Sequence, residues 1–250
     1  MTIGRIRSSI LKGSPMSATT AARDVRAAAR PAAGFDRWVI AILMPIGPLA
    51  IAVLRGLLPY FTTDSNTTAA AKIADHQGVE MITIWLTFIA LFTLIPGVIA
   101  LGLFARRQSR KLGSIGLVIA FAAFMCLFWS TVSSSDDVAL GAARLGMSPA
   151  TAGALNDSIG KILPIAIGEN IFVLGHILGL LLLAVALWRG RAVATWIAVM
   201  LGGSQLMHFV FAVIVPNHAL DAVAWGLTAA AFGLVAAAML REPRPAPELT

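Results

Sequence analysis

Residues 163–191, LPIAIGENIFVLGHILGLLLLAVALWRGR, decide the fold. A bilayer's hydrocarbon core takes about 20 residues of helix to cross, and this run is longer. Two ionisable side chains, Glu169 and His176, break its apolar face. Working outward, five further runs have the same character: residues 38–60, 79–104, 115–132, 193–215 and 219–240. Together they predict an all-α, polytopic bundle of six transmembrane helices.

The composition agrees. The chain is 58% hydrophobic and 12% charged, against about 25% charged in soluble domains. Its mean hydropathy is +0.84. Six crossings consume most of the 250 residues and leave no room for a separate soluble domain. The expected organisation is a disordered basic tail over 1–37, a membrane domain over 38–241 and a Pro-rich tail over 242–250. No apolar run precedes Trp38, so the tail is not an ordinary secretory signal. Its Arg-rich, acid-poor composition resembles an organellar transit peptide, but a basic segment lying near anionic headgroups accounts for it more simply. Met16 is an alternative start within it.

An isoelectric point near 10.7 raises the question of nucleic acid. The bases, however, sit in short turns between apolar runs, where the positive-inside rule places them, so the expected partner is the lipid bilayer and not nucleic acid. Fifteen bases fall in the N-terminal tail, the turn after span 2, the turn after span 4 and the C-terminal tail. Only Lys72, Arg144 and Lys161 fall in the alternate connections. That asymmetry predicts a multi-pass plasma-membrane protein with both termini cytoplasmic. Cys126 is the chain's single cysteine and lies mid-span, which leaves no disulfide framework and no cysteine-based metal site.

Between spans 3 and 4, Asp136 and the pair Ser148-Pro149 each precede an alanine-rich stretch. A capping oxygen or a proline at the first helical position marks a helix start, so short helices on the outer surface are expected. The connection 61–75 reads as a polar loop. In span 4, Gly175 and Gly179 form a GxxxG, which lets two helices approach closely.

Function must be sought among the polar side chains. His76, Glu80, Thr83 and Thr87 recur at spacings of four, three and four, which places them on one helical face. At ~1.5 Å rise per residue, Glu169 lies roughly 9 Å inside the outer end of span 4, and His208 roughly 10 Å inside that of span 5. Arg55 and Asp221 lie at similar, shallower depths, and His176 is near the midplane. Arg55 can either snorkel to the interface or pair with an acid. With Gln205 and His218, these residues gather in the outer half of the bundle, whereas the inner halves are nearly free of ionisable groups. Charge in hydrocarbon costs several kcal/mol unless paired or hydrated. The expected arrangement is therefore an outward-facing polar cavity formed by Arg55, His76, Glu80, Glu169, His176, Gln205, His208, His218 and Asp221.

Three chemistries suit such a set. Imidazoles and carboxylates can bind a cation, a proton or a small polar ligand, as in a carrier or sensor, and this non-enzymatic reading needs no cofactor. The same groups can hold zinc, with His76, Glu169 and His208 as candidate ligands, and a metal-bound water would then make an intramembrane hydrolase. No HExxH or comparable motif prescribes those ligands. His176 and His208 can also be imagined on a haem, again without an attachment motif. The plainest alternative is hydrogen-bonded glue between helices.

Two segments, LIPGVIALGLFARRQSRKLGSIGLVIAF and LGHILGLLLLAVALWRGRAVATWIAVMLGG, carry a resemblance. A proline near the end of span 2, a basic turn, a span opened by glycine, then ALWR-x-R and a tryptophan opening span 5 resemble a loose group of small bacterial membrane proteins of high-GC Gram-positive type. The likeness covers about half the chain. It implies six plasma-membrane spans and no particular activity, and it carries over no site residue.

Overall fold

A computed structural model describes residues 32–131 and 135–242. Most of the N-terminal tail, the serines at 133 and 134 and residues 243–250 lie outside the described residues. The fold is all-α. Among the described residues six helices are long and apolar enough to cross a membrane: α1 (Ala32–Leu57), α3 (Gln77–Gln108), α4 (Arg110–Thr131), α7 (Leu163–Arg189), α8 (Thr195–Phe209, extended by a π-helical turn Val210–Ile214) and α9 (His218–Arg241). The chain is thus a multi-pass membrane protein. Helix α1 begins six residues before Trp38, earlier than hydropathy alone suggests.

Three short helices lie between the spans: α2 (Asn66–Asp75), α5 (Ser135–Arg144) and α6 (Pro149–Gly160). The last two answer the helix-start signals at Asp136 and Ser148. The Ser148 hydroxyl accepts from the Thr151 N–H, and Pro149 opens the first turn. Helix α2 replaces the loop expected over 61–75. Its signal was Ser65, whose hydroxyl accepts from the Thr68 N–H, ahead of the run AAAKIA. The three short helices share a small apolar core of Ala70, Ile73, Ala139, Leu140, Ala142 and Ala152, against which Tyr60, Met81 and Ile84 pack.

The main core lies between the spans, around Met44, Leu94, Leu101, Phe124, Leu180, Leu183, Leu187, Leu201 and Phe232. Lipid tails are as apolar as leucine, so close van der Waals fit is what favours these contacts over lipid. The GxxxG serves this purpose within the chain. A Cβ on Gly179 would lie 2.5 Å from the Ala120 nitrogen, and one on Gly175 would lie 2.9 Å from the Ala123 Cβ, so α7 and α4 touch backbone to backbone. That seam sets the rotation of α7 and turns His176 into the bundle.

Candidate functional site

The site begins with Asp221, in the first turn of α9. Asn217 caps this helix, its side-chain oxygen accepting from the Leu220 N–H, and an acid in the first turn suits the helix dipole. Asp221 has no solvent exposure. Its Oδ2 accepts from the Nε–H of Arg55, near the end of α1, and its Oδ1 lies 2.6 Å from His208 Nδ1 on α8. One carboxylate therefore ties three spans together. An ionised carboxylate only accepts, so the proton of this bond belongs to His208 Nδ1. The indole N–H of Trp225 lies 3.0 Å from that same nitrogen. A protonated Nδ1 has no lone pair to offer it, and the charged Asp221 is the stronger partner, so the indole contact is packing. The Arg55 guanidinium and the Asp221 carboxylate offset each other's charge, as a hydrocarbon setting favours.

His176 lies beside it, with ring centroids 5.3 Å apart. Its Nδ1–H donates to the Phe172 carbonyl at 2.6 Å, which leaves Nε2 as a bare acceptor. The residue is 2% exposed, and among the described residues nothing reaches that Nε2. Phe172 stacks on the ring at 4.5 Å, and Trp225 lies nearly parallel to it at 6.2 Å. Trp225 is the one buried tryptophan of six. One turn inward from His208, Gln205 donates to the Thr228 hydroxyl at 2.9 Å, and Ser204 lies 2.8 Å from the same oxygen.

Toward the connections on the far side from the basic turns, the group is roofed by residues 61–62. Phe61 stacks on His218 at 4.3 Å, and the Thr62 hydroxyl donates to the Ala212 carbonyl inside the π-helical turn. Such turns recur at functional sites because the extra residue breaks the regular i to i−4 ladder and frees a carbonyl. Nothing in the run VFAVI announced it. Trp225 and Thr228 also escaped sequence reasoning, since indoles and hydroxyls are common in spans and carry no charge to flag them.

The structure divides the nine candidates. Arg55, His176, His208 and Asp221 come together, with His218 at their edge, while Gln205 lies one turn along α8 on Ser204 and Thr228. Glu80 is also buried, at 1% exposure, but beneath the short helices near Tyr60, and among the described residues neither of its carboxyl oxygens has a hydrogen-bond partner. Thr83, next on the expected stripe, is buried as well and donates to the Glu80 carbonyl. In this region burial, followed by the nearby Asp136 charge, pushes the Tyr60 hydroxyl well above its ordinary range.

His76 and Glu169 do not join the site. His76 is exposed at the α2–α3 junction, its Nδ1 2.9 Å from the Lys72 carbonyl. Glu169 is exposed on α7 although it lies seven residues from His176. Between Leu163 and Gly175 only Gly168 is buried, so over its first half this helix is largely uncovered, and matching depth did not bring Glu169 to His208. The expected zinc ligands His76, Glu169 and His208 are thereby dispersed. Among the described residues no three His, Cys, Asp or Glu side chains converge on one point.

Two shallow grooves lie elsewhere, one at the α7–α8 turn and one between α4 and α7 beside Trp129 and Pro164, and neither is lined by the Asp221 group. No protein-family model matches the chain, and comparison with curated proteins and with solved structures finds no match.

Proposed function

We propose that this membrane protein is a non-enzymatic proton-binding carrier or sensor of the plasma membrane, and that its site is the Arg55–Asp221–His208 group with His176 beside it. The observation that carries this is the fully buried Asp221 carboxylate, shared by a guanidinium from α1 and an imidazole from α8. A charge in hydrocarbon marks function by default, because structure alone gains little from it. Here one added proton turns a neutral group into a cationic one at the junction of three spans. Proton binding is thus coupled to how α1, α8 and α9 pack. The charged or titratable groups facing His208 are Asp221 on α9, Arg55 on α1 and His176 on α7, with His218 at the rim. The excess of bases in alternate turns supports cytoplasmic termini, with the site toward the outside.

The test uses Trp225, whose ring lies 5.1 Å from that of His208. In nanodisc-embedded protein, tryptophan emission should change between about pH 5 and 8, where imidazoles change charge. The change should vanish in His208→Gln and Trp225→Phe and persist in His76→Gln. Emission that titrates alike in wild type and His208→Gln would refute the proposal.

A further inference from the structure

We propose that the groove at the α7–α8 turn binds the phosphate headgroup of an anionic phospholipid. The groove is lined by Trp188, Arg189, Arg191, Val193, Ala194 and Thr195. It lies at the end of the bundle opposite the Asp221 group, so it stands or falls independently of the proton site. Arg189 and Arg191 are both exposed. Among the described residues no carboxylate forms a salt bridge with either.

A second basic turn adds to the field. Gly190 packs against Gln108, where a Cβ on the glycine would meet the Gln108 backbone carbon at 3.1 Å. This contact sets Arg189 and Arg191 beside the turn that carries Arg106, Arg107, Arg110 and Lys111. An acid that meets this face, Glu242, is already engaged by Gln108 at 3.0 Å and by Arg107 at 3.9 Å. Among the described residues no salt bridge engages Arg106, Arg110 or Lys111, so their charge adds to the field that draws an anion here. Arginine suits a phosphate, because its planar donors can meet two oxygens at once.

The occupant is a lipid because of what flanks the groove. Trp188 and Trp196 are 53% and 57% exposed, and tryptophans so placed sit at headgroup level. One turn deeper along each helix, Val185 and Val199 are also exposed and offer apolar surface at acyl-chain depth. The first turn of α8 assists, since Ala194 at its cap offers no side-chain acceptor to the backbone N–H groups.

The experiment titrates full-length protein in neutral detergent with phosphatidylglycerol, with phosphatidylcholine and with inorganic phosphate, and reads bound lipid by native mass spectrometry. Wild type should bind phosphatidylglycerol selectively. Arg189→Gln/Arg191→Gln should bind it on the order of thirty-fold more weakly, from the usual contribution of each base near a membrane surface. Arg144→Gln, an exposed base on α5, should bind as wild type does. Thermal unfolding of each variant checks that it is folded, and Arg191→Gln alone serves as the milder variant. Equal binding by wild type and the double variant would overturn the proposal. So would displacement of phosphatidylglycerol by inorganic phosphate as effectively as by the lipid itself, which would mark a soluble-anion site.

Discussion

Removing the Asp221 charge should be far more damaging than removing the imidazole that shares it. Asp221 has no exposed side-chain surface and Arg55 only 13%, so Asp221→Asn leaves a guanidinium in a poorly hydrated setting with no counter-charge. Breaking a buried pair from one side costs about 3–5 kcal/mol, where an exposed pair would cost about 0.2–1 kcal/mol. The His208 hydrogen bond is a smaller matter, because polar contacts between transmembrane helices average about 0.6 kcal/mol and reach about 1.7 kcal/mol. His208→Gln should therefore cost about 1 kcal/mol. Replacing both charges, in Arg55→Met/Asp221→Leu, should recover most of the loss, since buried pairs exchanged for apolar residues are often neutral. Reversible unfolding in mixed micelles, followed by circular dichroism, compares these variants, and adding Arg55→Met and Asp221→Leu singly closes a double-mutant cycle for the pair. A coupling energy below about 1 kcal/mol, or equal losses for Asp221→Asn and His208→Gln, would show that water reaches the pair and would refute the buried-charge argument.

Gly179→Ala should destabilise by about 1–3 kcal/mol through overpacking against Ala120. Gly203→Ala, where a Cβ meets nothing within 4 Å, should be neutral or stabilising by up to about 1 kcal/mol, and thermal unfolding in nanodiscs compares the two. On the connection side, the Lys72 ammonium at 2.7 Å, followed by the Phe61 N–H at 2.8 Å, holds the Asp64 carboxyl below its ordinary range. The folded value being the lower one, this stabilisation is complete above the ordinary carboxylate range. It fades as pH falls through that range to the lowered value. Asp64→Asn should accordingly flatten the acid limb of stability against pH and leave the neutral-to-alkaline limb's shape unchanged. Cysteines introduced beside Lys72 and beside Arg107, with Cys126 replaced, should label from outside the cell at the first position only, and the reverse pattern would invert the orientation.

Several features could be read residue by residue. Hydropathy located all six spans, and Ser148-Pro149 marked the start of α6. The spacing of Glu80 and Thr83 foretold that both turn inward. Arg55 was legible as a residue that either pairs or snorkels, and Asp221 stood at a matching depth. Glu169 shows where such reasoning stops. It shares depth with His208 and a helix face with His176, yet that face has little covering it near the start of α7. Helix α2 was hidden by its polarity, because a surface helix of Asn, Thr, Ala and Lys resembles a loop when only hydrophobicity is read.

The amino-acid sequence by itself determined that this chain is a six-span membrane protein, because transfer of a segment into hydrocarbon is a sum over its own side chains and needs no knowledge of neighbours. It also marked which side chains would be costly to bury. Only the tertiary structure decided that Arg55, His208 and Asp221 meet while Glu169 and His76 stay apart. Which face of a helix is covered depends on close packing such as the Gly179–Ala120 contact, and on the one-residue offset of a π-helical turn. Those are properties of pairs of helices, and no single helix carries them in its own residues.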